Sequence, residues 1–189
     1  MHLMKYNDPS LKKIAEPFDF KNPPFDPIEF SQQLVKFIYD NNAICLTAPQ
    51  VGLPWRVFAM RGSPENFVCF NPKVVMPSKE KVRLEEISLT YPGLCVKVMR
   101  PQHCKVRFAT PNGEVRTETY TGLTARTFQH CMDFLDGKLF YADPAGQVLS
   151  ISNQNTFGTV NANSSLIIAS SQTDTLSFVA GDNIKIDGD

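Results

Sequence analysis

Gln129-His130-Cys131-Met132-Asp133-Phe134-Leu135-Asp136-Gly137 decides how this chain is read. It has the pattern of the last turns of an amphipathic helix stopped by a glycine, the residue that takes the left-handed conformation past a helix end without steric cost. The helix runs from about Thr124, a candidate cap, to Asp136. Ala125, Phe128, Met132 and Leu135 mark its core face.

Upstream, Asp26 is placed as N-cap, Pro27 as N1 and Glu29 as N3 of a first helix, whose buried stripe is Phe30, Leu34, Phe37 and Ile38. Strand-like runs separate the helices: Arg56 to Met60, Phe67 to Phe70 ended by Asn71-Pro72, and Lys73 to Met76 ended by Pro77. Arg83 to Thr90 and Leu94 to Val98 follow on either side of Pro92-Gly93. Lys105–Thr110 and Glu114–Tyr120 form a hairpin through Asn112-Gly113, which suits the positive φ angles of a tight turn. The fold class is therefore α+β: antiparallel sheets around a C-terminal helix, followed by a short β-rich tail.

Residues 1–146 form the main domain in this reading, and 147–189 the tail. The tail is rich in Ser, Thr, Asn, Asp and Gly. Its strand candidates are Leu166-Ile167-Ile168, Thr175 to Val179 and Asn183 to Ile186.

With 19 Lys+Arg against 19 Asp+Glu, formal charge is zero, so no basic excess points to nucleic acid or an anionic membrane surface. No apolar run approaches the ~20 residues of a membrane span. The N-terminus has no signal-peptide pattern. The five cysteines, Cys45, Cys69, Cys95, Cys104 and Cys131, are odd in number and lack a Cys-x-x-Cys pair. They read as buried free thiols of a protein made in a reducing cytoplasm, not as a disulfide framework.

Two further stretches belong with the helix: Leu46-Thr47-Ala48-Pro49-Gln50-Val51-Gly52 and Glu86-Ile87-Ser88-Leu89-Thr90-Tyr91-Pro92-Gly93. Together with Tyr6 to Leu11, Phe70-Asn71-Pro72, Val98 to Pro101 and Gly122 to Arg126, the three stretches resemble the landmarks of the peptide deformylases, in the family's order. The tail resembles the repetitive β-rich sequence of bacteriophage virion and fibre proteins.

The deformylase resemblance implies a metal-assisted hydrolase that removes the formyl group from an N-terminal methionine. It implies three metal ligands, one cysteine and two histidines. A glutamate beside the first histidine acts as general base, and a glutamine and a backbone N–H stabilise the oxyanion. Position by position, the oxyanion pair is retained as Gln50 and Leu89, and the first histidine as His130. The cysteine position is Ser88, a poor ligand for a borderline-soft metal. The glutamate position is Cys131 and the second histidine position is Phe134. In the first motif, Ala43 and Cys45 stand where the family has glycines, and their side chains crowd the substrate passage.

The expectation is a catalytically inactive deformylase-like domain, with no catalytic residue, metal or cofactor and six vestigial positions: Gln50, Ser88, Leu89, His130, Cys131 and Phe134. It serves as a structural component of a phage virion. The chain is made in the host cytoplasm and pairs through 147–189 with other virion proteins or with copies of itself. The alternatives are a divergent deformylase that removes N-formyl groups, another hydrolase using Gln50, Ser88 and His130, and a module that binds peptides without cleaving them.

Overall fold

Asp26 starts the first helix as its sequence requires: its carboxylate accepts from the backbone N–H of Ile28 at 2.8 Å and of Glu29 at 3.0 Å. Helix α1 runs Pro27–Asp40 and buries Phe30, Leu34 and Ile38, with Phe37 half-buried at the edge of the stripe. The structure, a computed structural model, describes residues 1–138, 149–152, 166–169 and 175–178, the last three stretches as backbone only. It forms two compact units. The first is Met1–Val82 with Arg100–Lys138; the second is Arg83–Met99 with the described part of Leu139–Asp189.

In the first unit, β1 (Cys45–Thr47), β2 (Val57–Met60), β3 (Phe67–Pro77), β6 (His103–Ala109) and β7 (Val115–Thr121) form one antiparallel sheet in the order β1-β2-β3-β6-β7. Helix α2 (Gly122–Leu135) packs on it. Phe58 of β2, Val106 of β6, Tyr120 of β7 and Phe128, Cys131 and Leu135 of α2 share one buried cluster. The Phe58 and Phe128 rings meet edge to face at 5.1 Å.

Three boundaries in the first unit differ from the sequence reading. Asn71-Pro72 does not end a strand: β3 runs through it with register shifts between Phe70 and Lys73 and between Val74 and Met76. Asn71 sits at φ +50°, and its side-chain amide bonds both ways to the Phe18 backbone, accepting at 2.8 Å and donating at 2.9 Å. A bulge accommodates a residue that a proline would otherwise exclude from a sheet interior. The Asn112-Gly113 connection is longer than a two-residue turn. Gly113 alone is left-handed, and the loop closes through Thr110 N–H to the Glu114 carbonyl at 2.8 Å. Helix α2 begins at Gly122, two residues before the expected cap, and Thr121 makes no side-chain cap bond.

The C-terminus of α2 follows the sequence closely. Lys138 N–H donates to the Asp133 carbonyl at 2.8 Å and Gly137 N–H to that of Phe134 at 3.2 Å, a Schellman arrangement around Gly137 at φ +65°. A Cβ on Gly137 would lie 2.5 Å from the Lys12 carbonyl oxygen, so this position needs glycine twice over.

The second unit carries a sheet in the order β10-β9-β8-β5-β4. β4 (Lys81–Ser88) and β5 (Tyr91–Pro101) are joined at Leu89-Thr90. Pro92-Gly93, expected between two strands, lies inside β5, with Gly93 at φ +80°. The strands β9 (Leu166–Ala169) and β10 (Thr175–Phe178) fall where the tail's alternation placed strands; Asn183 to Ile186 lies outside the described residues. A further strand, β8 (Leu149–Ser152), was not expected. It pairs antiparallel with β5, Leu94 opposite Ile151, and parallel with β9. The first described tail strand thus finds its backbone partner within its own chain.

Candidate active site

Of the six site positions, Gln50, His130, Cys131 and Phe134 belong to the first unit, and Ser88 and Leu89 to the second. Gln50 lies in the 3₁₀ turn Pro49–Val51, which packs against α2. The turn exists because Pro49 supplies a fixed φ and Gly52, at φ +80°, closes it. Gln50 is 2% exposed, and its Oε1 accepts from the Thr47 N–H at 2.9 Å and the Thr47 hydroxyl at 3.1 Å. These two bonds fix the amide's orientation, with Nε2 turned away from Thr47.

On α2, His130 and Phe134 stand one turn apart, and their rings meet edge to face at a centroid distance of 5.4 Å. His130 is 6% exposed and Phe134 0%. Cys131 is also fully buried. Its thiol is hydrogen-bonded with that of Cys45 on β1, and burial, then that bond, push its pKa well above the ordinary value. Ser88, at the end of β4, and Leu89, in the following turn, are half-buried.

Asp133, which helical spacing allows to face His130, instead pairs with Arg100 at 2.7 Å. Asp136 pairs with Arg56 at 2.7 Å, and Arg56 Nη1 also donates to the Leu135 carbonyl at 3.3 Å. A cation at the C-terminal end of α2 meets the negative end of the helix dipole. Gln129 Nε2 donates to the Pro101 and Ala125 carbonyls, each at 3.0 Å. With Lys73, Val74 and Met132, these residues line an open cavity of about 430 Å³.

Comparison with known proteins assigns the scaffold. The sequence profile of polypeptide deformylase matches residues 1–147. The chain belongs to the peptide deformylase family. The peptide deformylase of Thermotoga petrophila is 33% identical over 138 residues, covering 71% of this chain and 80% of that relative. The crystal structure of peptide deformylase from Thermotoga maritima superposes with a TM-score of 0.69 at 29% identity, covering 73% of this chain and 92% of that one. The Synechococcus elongatus peptide deformylase, solved in complex with actinonin, gives a TM-score of 0.69 at 28% identity over 74% of this chain and 75% of that one.

These findings correct two expectations. The assignment as a structural component of a phage virion is overturned, because the relatives and structural neighbours are peptide deformylases and none points to a virion part. The assignment as a non-enzyme is overturned with it, because the family match is to enzymes and no observation demonstrates inactivity. The error lay in treating a changed donor set as proof of a changed role.

A divalent metal of the kind the family implies needs three convergent ligands. Here a fully buried phenyl ring packs against His130 one turn along, and the thiol beside His130 is bonded with Cys45. No group of three or more His, Cys, Asp or Glu side chains is placed to hold a metal among the described residues. The residues present do not fit that metal.

Sequence reasoning missed three partners: Thr47 for Gln50, Arg100 for Asp133, and Cys45 for Cys131. Arg100 and Thr47 lie inside stretches already recognised as landmarks. Cys45 was read as a buried free thiol and a crowding group; its coincidence with a second cysteine at Cys131 was the available signal.

Proposed function

We propose that this chain is a divergent peptide deformylase, a hydrolase directed at N-formylated peptide termini. The observation that carries this reading is the deformylase match across residues 1–147, with the same fold at a TM-score of 0.69. Two retained features support it. Gln50 is held by Thr47 in one orientation, as an oxyanion-stabilising amide must be, since a preorganised donor loses no reorganisation energy as charge develops. His130 is retained on the last turns of α2.

One experiment tests this reading. The full chain is assayed on a formyl-Met peptide with and without added Fe²⁺, Ni²⁺ or Zn²⁺, beside direct binding to the same peptide. Turnover lost in Gln50→Ala and His130→Ala supports the divergent enzyme. Absence of turnover with every metal refutes it.

A further inference from the structure

Two cysteines of this chain occupy positions where the family pattern has none, and the fold brings them together. Cys45 stands at a glycine position of the first motif and Cys131 at the glutamate position of the third. Cys45 lies on β1 and Cys131 on α2, two elements in contact, and Cys45 packs against the buried cluster that holds Cys131. Their thiols are within hydrogen-bonding reach of each other, and neither is in a disulfide.

Their accessibilities differ in a useful way. Cys131 is fully buried, whereas Cys45 is partly exposed. Cys69 and Cys104 share the buried cluster, but both are 0% exposed. Cys45 is therefore the most accessible cysteine residue packed on this cluster.

We propose that Cys45 and Cys131 are an oxidisable dithiol, which a low-molecular-weight disulfide converts to a reversible covalent link between β1 and α2 beside His130. The Cys45 thiolate attacks one sulfur of oxidised glutathione, forming a mixed disulfide and releasing one reduced glutathione. The Cys131 thiolate then attacks the Cys45 sulfur and releases the second. Two protein thiols and one oxidised glutathione give one protein disulfide and two reduced glutathiones; the protein loses two electrons and two protons. This inference does not depend on the substrate assigned above.

The test uses the full native chain incubated with oxidised glutathione at mildly alkaline pH and mapped by mass spectrometry without reduction. The expected product is a Cys45–Cys131 linked peptide pair, absent after dithiothreitol, with a higher Tm than the reduced protein. In Cys131→Ala the glutathione adduct remains on Cys45; in Cys45→Ala, Cys131 stays unmodified while the protein is folded. A stable Cys45 adduct in the unsubstituted protein overturns the proposal. So does a link from Cys45 or Cys131 to Cys69, or modification of Cys131 that is equally fast without Cys45. The mapping of the unsubstituted chain decides the matter even where a variant folds poorly.

Discussion

Phe134→Ala tests how the third motif has been rebuilt. The phenyl ring is 0% exposed and lies against His130 with ring centroids 5.4 Å apart. Removing a fully buried Phe side chain loses about 1.5–3 kcal/mol of transfer free energy. The cavity left behind adds to this, because a helix packed on a sheet relaxes only in part, and the sum is about 3–5 kcal/mol. In a chain of this size that lowers Tm by roughly 10 °C. Urea unfolding followed by circular dichroism should show a lower midpoint at unchanged slope. Phe134→His separates packing from chemistry. It restores the family's second histidine at nearly the same volume, but buries ring nitrogens that cost about 1–3 kcal/mol if they find no partner. A loss below about 1 kcal/mol for Phe134→Ala would mean that the ring is not part of the core, and the reasoning about an apolar refilled site would fail.

Asp133→Ala leaves the Arg100 guanidinium, itself 7% exposed, without its 2.7 Å partner, and should cost about 2–4 kcal/mol by chemical denaturation. Gly137→Ala should destabilise by more than the ~1–2 kcal/mol of a left-handed alanine, because the new Cβ meets the Lys12 carbonyl at 2.5 Å; normal stability would refute the helix stop. Burial pushes the Cys104 thiol from about 9 up to about 11. Between those values the unfolded chain releases a proton that the folded chain keeps, so this group makes stability fall as pH rises from about 9 toward 11, and Cys104→Ala should flatten that decline. Truncation after Gly146 removes β8 and should speed amide exchange in Leu94–Val96, the β5 segment that pairs with it; unchanged exchange would mean that β8 does not protect this edge.

Local rules determined much of this protein. Asp26-Pro27-x-Glu29 set the start of α1, and Gly137 set the end of α2, because caps are satisfied by neighbouring backbone and need no distant partner. The family, too, was legible, since its landmarks are short and ordered along the chain. The course of β3 through Asn71-Pro72 was not, because the bulge is held by Phe18, far off in sequence. Nor was the β5–β8 pairing, which joins distant segments through backbone groups that carry no residue code. At the site, the family resemblance placed Ser88, Cys131 and Phe134 at the positions of its cysteine, glutamate and second histidine. Only the tertiary structure decided what the new side chains do. Phe134 is sealed beside His130, Asp133 is taken by Arg100, and Cys131 meets Cys45. Each contact depends on which face of α2 meets which strand, and that is set by the packing of the whole core.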